Sequence, residues 1–205
     1  MSLLERLRAR LPQVPQAVAL RDDIDMNLAP QAWTGPIANA AVLLPVVLRD
    51  QPMLLFTRRT TTLARHSGQV SFPGGRCEAQ DASPLVTALR ETFEETGIDP
   101  AHVTPAGYLD RYRTGTGFDI QPVVGVVTPD FVLNPDPREV DVVFEVPLAF
   151  LLDPANRRLE SREIGGSMRR YYVFTHGEYM IWGATAAIIV GLAQKLDGIS
   201  LIDAH

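Results

Sequence analysis

Residues 83–98, SPLVTALRETFEETGI, carry the clearest structural signal in this chain. Ser83 followed by Pro84 suits the N-cap and first turn of a helix, and Gly97 suits the residue that ends one. We therefore predict a helix over residues 84–96. On a helical wheel one face is apolar and is predicted to pack on a sheet: Leu85, Ala88, Leu89, Thr92 and Phe93.

Three carboxylates, Glu91, Glu94 and Glu95, fall on the opposite face of this predicted helix. Acids three and four residues apart repel one another by about 0.2–0.5 kcal/mol per pair unless a cation lies among them. Their oxygen ligands suit Mg²⁺ or Mn²⁺, which commonly share their coordination with substrate phosphates. Arg90 precedes Glu94 by one turn and is predicted to orient its carboxylate. Taken alone, the three acids also suit a solvated helix face, so this pattern leaves both interpretations open.

Strand signals on both sides of the helix predict an α+β fold, with a mixed β-sheet sandwiched between α-helices. Apolar and β-branched runs predict strands over residues 38–48, 53–57, 103–113, 120–128, 140–146 and 170–174. We also predict a short N-terminal helix, a helical turn at 147–152 and a closing helix at 183–196. Residues 72–75, FPGG, are expected to break regular structure.

Composition limits the classes of function. The chain has 205 residues, 46% hydrophobic and 21% charged, which is typical of one globular domain with extensions. A formal net charge of -5 gives no overall basic field, so nucleic acid is not expected as a partner. The apolar run at 183–193 is about half the roughly 20 residues of a membrane-spanning helix, so no membrane anchor is expected. A lone cysteine, Cys77, and no secretory signal favour the cytoplasm.

From Gly75 to Ile98 the sequence resembles the signature of the Nudix hydrolases. That signature runs Gly, five residues, Glu, seven residues, Arg-Glu, an aliphatic residue, any residue, Glu-Glu, any residue, Gly and an aliphatic residue. This chain departs from it in three ways: Asp81 replaces the first Glu, one extra residue precedes Arg90, and Thr92 replaces the aliphatic residue. The resemblance implies a Nudix fold and Mg²⁺- or Mn²⁺-dependent hydrolysis of a diphosphate. It implies Glu91, Glu94 and Glu95 as metal ligands, and catalytic roles for Arg90, Glu94 and Glu95.

Residues 55–60, LFTRRT, then Gly68 and residues 72–75 resemble a further signature, that of the coenzyme A pyrophosphatase branch of these enzymes. That signature runs Leu-Leu-Thr, any residue, Arg-Ser, three residues, Arg, three residues, Gly, three residues and Phe-Pro-Gly-Gly. Residues 171–172 and 182–186 also resemble this branch, and so do Asp81 and the extra residue in the Nudix signature. The branch implies cleavage of coenzyme A into adenosine 3',5'-bisphosphate and 4'-phosphopantetheine, or its acyl form.

Four basic residues precede the Nudix signature in the sequence and are candidate substrate contacts: Arg58, Arg59, Arg65 and His66. Guanidinium groups suit an anion such as the 3'-phosphate of coenzyme A, although a solvated basic loop would contain the same residues. Gly74 is also a candidate, since the Gly74-Gly75 turn can bring backbone close to the reacting groups; a purely structural turn would use the same glycines.

A general base is also expected, and Glu95, Glu139 and Glu163 are candidates. Glu139 is favoured because it lies in a loop before a strand, although a solvent-facing glutamate would occur there too. The domain prediction is an N-terminal helix and irregular arm at 1–36, a single Nudix domain at 37–196 and a tail at 197–205.

Two other functions stay open on the sequence. The substrate can instead be ADP-ribose or a dinucleotide such as NADH. The Nudix signature implies hydrolysis of a diphosphate but does not specify the groups attached to that diphosphate. A catalytically silent nucleotide-sensing domain would share the fold, but retention of Arg90 and of all three helix acids argues against it. The resemblance also allows a homodimer.

Overall fold

The computed structural model describes residues 1–15, 19–22, 35–60, 68–164, 167–198 and 201. The helices are α1 (Leu3–Arg10), α2 (Pro84–Thr96), α3 (Leu148–Leu152) and α4 (Gly183–Lys195). The first strands are β1 (Ala19–Asp22), β2 (Ala38–Leu48), β3 (Pro52–Arg59), β4 (Val70–Ser71), β5 (Gly74–Arg76) and β6 (Val103–Tyr108). The later strands are β7 (Arg111–Arg113), β8 (Phe118–Val127), β9 (Val140–Pro147), β10 (Arg157–Ile164), β11 (Ser167–His176) and β12 (Tyr179–Trp182).

The described strands form a nine-stranded mixed sheet and a smaller three-stranded sheet. In the large sheet the order is β1-β7-β8-β2-β3-β4, while β5 pairs with β2, β6 with β8 and β9 with β3. The central β2 and β8 are parallel along their length, and most other pairs are antiparallel. The small sheet is antiparallel, in the order β10-β11-β12.

Helices cover both faces of the large sheet, because its central strands alternate apolar side chains between two clusters. On β2, Leu44 and Val46 belong to the cluster that contains α4, α3 and the leucines of α1. Leu43 and Val47 belong to the other cluster, with Ala88 of α2. The predicted α+β fold, a mixed sheet between helices, is confirmed. Within the described ranges, no helix is both long and apolar enough to cross a membrane.

The structure differs from the sequence predictions at several strands. Residues 74–76 form β5 on β2 instead of interrupting regular structure. A Cβ on Gly74 would lie 2.6 Å from Val42 Cα, so glycine permits this close strand approach. The predicted strand at 103–113 is two strands, β6 and β7, which both pair with β8. Strands β10 and β12 were not predicted, and β1 lies within the arm that was predicted to be irregular.

Candidate active site

Helix α2 begins and ends as predicted. The Ser83 hydroxyl accepts a hydrogen bond from the Val86 amide at 3.3 Å, and Pro84 occupies the first turn. Gly97 ends the helix in a left-handed conformation, with φ of 79°, and donates to the Phe93 carbonyl at 2.8 Å. A Cβ on Gly97 would lie 2.8 Å from the backbone nitrogen of Asn134. The close contact at Gly97 therefore sets where loop 134–139 meets the end of α2.

Arg90 donates hydrogen bonds to four groups around the acids of α2. Its guanidinium donates to both oxygens of Asp81 at 3.0 and 3.2 Å, to Glu91 Oε1 at 2.9 Å and to Glu94 Oε2 at 3.1 Å. It also donates to the Arg76 carbonyl at 3.1 Å. The hydrogen bond to Asp81 is the main reason that the pKa of Arg90 is raised. The predicted contact between Arg90 and Glu94 is thus present.

Asp81 anchors this arginine from outside the helix. Its carboxylate also accepts hydrogen bonds from the Glu78 amide and the Thr87 hydroxyl, each at 2.9 Å. The hydrogen bonds from Arg90 and Glu78 hold the pKa of Asp81 well below its usual range. The sequence left the role of Asp81 open, and the structure makes it the partner that positions Arg90.

Glu95 does not share the exposed face of α2 with the other two acids. Its residue surface is 4% exposed, whereas that of Phe93 is 51% exposed, so the helical-wheel assignment is wrong for both. The buried face instead includes Ala88, Thr92 and Thr96. The Thr92 hydroxyl donates to the Ala88 carbonyl at 2.6 Å, which satisfies a polar side chain where the Nudix signature has an aliphatic one.

Burial controls the chemistry of Glu95. Removal from water raises the pKa of Glu95 to about 8, against the opposing effect of Arg59, whose Nη1 lies 3.9 Å from Glu95 Oε1. The Gly74 amide also donates to this carboxylate at 3.4 Å. Strand β5 and the end of β3 therefore meet the helix at this carboxylate.

Glu91 and Glu94 differ from Glu95 and from each other in exposure. The Glu91 side chain is 18% exposed, and burial is the main reason that its pKa is raised. Its carboxylate fills the space beside Gly75, where a Cβ would lie 2.5 Å from both Glu91 oxygens. The Glu94 side chain is 55% exposed and contacts Arg90. The three acids thus differ in depth, from the exposed Glu94 through the partly buried Glu91 to the buried Glu95.

Loop 134–139 closes the other side of the site. The Asn134 amide donates to the Thr96 carbonyl at 2.8 Å, and the Asp136 amide donates to the Glu95 carbonyl at 3.3 Å. Glu139 Oε2 lies 3.8 Å from Arg59 Nη2, and the Glu139 side chain is 51% exposed. Arg59 therefore lies between Glu95 and Glu139, which places one candidate base beside the helix acids.

The other predicted residues are placed less favourably. Arg58 donates to Asp141 Oδ2 at 2.8 and 3.0 Å and lies over the Tyr179 ring at 5.7 Å, so its guanidinium is already engaged. Glu163 is exposed on β10 of the small sheet, opposite Met168. Arg65 and His66 lie outside the described residues.

A cavity of about 420 Å³ adjoins Glu95 through Arg59 and Gly74. Its apolar lining comes from β2, β4, β8, α4 and the segment after β4: Val42, Val70, Phe72, Phe118, Ile120, Ala184 and Ile188. The cavity is also lined by Arg169, Tyr171 and Trp182 of the small sheet, to which the sequence gave no role. The only signal there was the branch resemblance at 171–172 and 182–186. A concave, mostly apolar space of this size suits a small organic ligand.

Comparison with known proteins identifies the family. Residues 38–168 match the NUDIX domain. The chain belongs to the Nudix family. A relative from Photorhabdus laumondii, named "Uncharacterized Nudix hydrolase NudL", is 40% identical over 176 residues, which cover 86% of this chain and 94% of the relative. A protein of the same name from Escherichia coli K12 is 41% identical over 158 residues, which cover 77% and 82% of the two chains.

A solved Nudix structure shares the fold. The MutT/nudix family protein from Enterococcus faecalis aligns with a TM-score of 0.50 at 14% identity, over 82% of this chain and 64% of that one. At this identity the similarity concerns the fold alone.

Nudix hydrolases generally use divalent metal ions such as Mg²⁺, and the α2 acids fit such an ion by their chemistry. In the part of the chain that is described, no three acidic, histidine or cysteine side chains already surround a common point. Instead Arg90 engages Glu91 and Glu94, and Arg59 faces Glu95. All the donors are hard oxygens, and Glu95 is a buried carboxylate that a cation would stabilise. Arg90 contacts one oxygen of Glu91 and one oxygen of Glu94, so each carboxylate can offer its other oxygen to an ion while it keeps this contact.

The metal-free Nudix hydrolase is expected to gain stability from Glu95→Gln. The folded pKa of Glu95 is raised from 4.5 to about 8, so the folded state holds a proton that the unfolded chain releases in that pH window. Stability is therefore lost as pH rises from about 4.5 to 8, and an amide avoids the loss. We expect a gain of about 2–4 kcal/mol at pH 8 that shrinks toward pH 4.5.

Urea denaturation in EDTA at both pH values measures this difference. The exposed Glu94→Gln is the matched control and should change the free energy of unfolding by less than about 0.5 kcal/mol. A Glu95→Gln effect that is the same at both pH values would contradict the role of the buried carboxylate.

Proposed function

We propose that this Nudix hydrolase cleaves the diphosphate of coenzyme A and its acyl derivatives, with Mg²⁺ or Mn²⁺ as cofactor. The products are adenosine 3',5'-bisphosphate and 4'-phosphopantetheine or its acyl form. One observation carries the proposal: residues of the coenzyme A signature, Arg59, Phe72 and Gly74, line the cavity beside Glu95. Residues of this signature thus lie both beside Glu95 and around the space that an organic substituent of the diphosphate would fill.

In the proposed reaction, water attacks one phosphorus of the diphosphate and the bridging P–O bond breaks, which leaves two phosphomonoesters. Glu91, Glu94 and Glu95 would hold the divalent ion, which supplies positive charge for the phosphoryl oxygens as negative charge builds on them. Arg90 fixes the directions of Glu91 and Glu94, and Asp81 fixes Arg90.

We assign proton removal from the attacking water to Glu139. Its carboxylate is half-exposed and its backbone is tied at two points, since the Thr60 amide donates to its carbonyl at 3.0 Å and its own amide donates to the Asp136 carbonyl at 3.0 Å. A side chain on such a fixed backbone can reach a water beside α2. Arg59 contacts Glu95 and Glu139 only at 3.9 and 3.8 Å. These contacts are long enough for its guanidinium to turn toward a substrate phosphate.

In this proposal Arg58 has a structural role, because it already forms a salt bridge with Asp141 and lies over the Tyr179 ring. It keeps residues 37–196 as the catalytic domain, with 1–36 and 197–205 as flanking segments. A single cysteine, Cys77, suits the reducing cytoplasm as the site of action. A homodimer is part of the proposal by family resemblance, and sedimentation would test it.

The deciding experiment incubates the purified protein with coenzyme A, ADP-ribose and NADH in parallel, each with Mg²⁺, Mn²⁺ or EDTA. Products are identified by mass. We expect adenosine 3',5'-bisphosphate to form fastest, only with metal present. Cleavage of ADP-ribose or NADH alone would keep the Nudix reaction and reject coenzyme A. No cleavage of any substrate with metal present would favour a silent nucleotide-sensing domain.

A further inference from the structure

One wall of the cavity comes from residues beyond the matched NUDIX domain. The domain match ends at residue 168, whereas Arg169, Tyr171 and Trp182 line the cavity. Arg59 and Gly74, which also line the cavity, belong to the matched domain and contact Glu95. The cavity thus extends from the candidate reacting groups to a part of the chain outside the matched domain. In that part, the residues that contact the groups attached to the diphosphate can differ between relatives.

Along one face of β11 the side chains change from apolar to aromatic to cationic, and the aromatic and cationic ones line the cavity. Val173, Tyr171 and Arg169 are two residues apart and so point to one face of the strand, with successive Cα atoms about 7 Å apart. Val173 is 1% exposed, and the Tyr171 and Trp182 rings meet edge to face with centroids 5.7 Å apart. A ligand along this face would meet aromatic rings first and then a guanidinium.

Arg169 faces a second arginine. In the antiparallel pair of β10 and β11, Arg162 lies directly opposite Arg169 on the same face. The nearby acid on β10, Glu160, pairs with Arg158 at 3.5 Å. Among the residues that the structure describes, neither Arg162 nor Arg169 has an ion pair with an acidic side chain. Like charges in directly opposite positions are unfavourable in a sheet, and an anion between them would relieve the repulsion.

We propose that this cavity binds the nucleoside half of the substrate, and that Arg169, with Arg162, binds a phosphate carried on its ribose. The proposal rests on the proposed function, which supplies a substrate with a flat base and a third phosphate. Tyr171 and Trp182 give the base an aromatic wall, and the paired guanidinium groups take the phosphate. Arg58, a basic candidate from the sequence, is already engaged by Asp141.

The test compares Arg169→Gln with the wild type on coenzyme A and on 3'-dephospho-coenzyme A. We expect KM for coenzyme A to rise about tenfold to a hundredfold, with kcat unchanged, because a charge-assisted contact to the phosphate is lost. KM for the dephosphorylated substrate should stay within about twofold. Arg157→Gln is the matched control: it removes the same charge from the same sheet, but Arg157 points to the opposite face, opposite Phe174.

Other results would overturn the assignment. A KM that rises equally for both substrates would mean that Arg169 does not bind the 3'-phosphate and that the cavity takes the pantetheine or acyl arm. If the wild type cleaves neither substrate, the proposed function fails, and calorimetry with adenosine 3',5'-bisphosphate still decides on Arg169. Weaker binding of this nucleotide by Arg169→Gln would support the subsite, and unchanged binding would reject it.

Discussion

Glu94→Gln is expected to lower kcat for diphosphate hydrolysis by roughly 10³-fold, because it neutralises a proposed ligand of the divalent ion that stabilises developing phosphoryl charge. The fold should be unaffected, since the Glu94 side chain is 55% exposed and contacts Arg90. Activity is measured by product mass at saturating metal and substrate, beside far-UV circular dichroism.

The matched control is Glu178→Gln, which removes the same charge from a side chain that is 74% exposed in the turn between β11 and β12. This control should keep wild-type kcat. If Glu94→Gln retains more than about a tenth of the wild-type kcat, Glu94 is not a metal ligand in the reaction.

Two neighbouring glycines are expected to fail in different ways when changed to alanine. In Gly75→Ala the new Cβ would displace the Glu91 carboxylate, a flexible side-chain end that now lies 2.5 Å from that position. We expect metal affinity to fall about 10–100-fold, because the proposed ligand Glu91 is misdirected, with little change in the metal-free Tm. In Gly74→Ala the Cβ would meet backbone, 2.6 Å from Val42 Cα, at a φ of 155°. Backbone cannot yield in the same way, so we expect this variant to lose several kcal/mol of stability.

Metal titration of activity and thermal unfolding in EDTA separate the two effects. Each variant is the control for the other, since both add one methyl group to β5. Equal loss of stability in the two variants would show that Gly75 serves strand packing and not the position of Glu91. Unchanged metal affinity in Gly75→Ala would remove Glu91 from the proposed ligands.

Local signals predicted the α2 region well. Ser83, Pro84 and Gly97 act within one or two turns of the backbone, so their effect can be read from the sequence. The burial of Glu95 could not be predicted in this way. A helical wheel assigns an acidic residue to the solvent-exposed face. Here β5 and Arg59, which are distant from Glu95 in the chain, contact its carboxylate in a buried position.

The basic residues show a second limit. Arg58 and Arg59 look alike in the sequence, but they point to opposite faces of β3, so one meets Asp141 and the other meets Glu95. Extending the predicted strand from residue 57 to Arg59 would have separated them. The wall at Arg169 depends on the pairing of β10 with β11, and long-range register of that kind needs the tertiary structure.

The hydrogen bonds of Arg90 also bear on whether the protein folds before it binds metal. One guanidinium engages Asp81, Glu91 and Glu94, so these acids have a positive partner before any ion arrives. The charges of these acids therefore need no ion to offset them when the chain folds, unlike those of small zinc domains that stay unfolded until they are loaded. In the proposed reaction an ion would join acids whose charge is already partly offset by Arg90, which favours reversible loading from a plentiful cellular supply over permanent capture of a scarce metal.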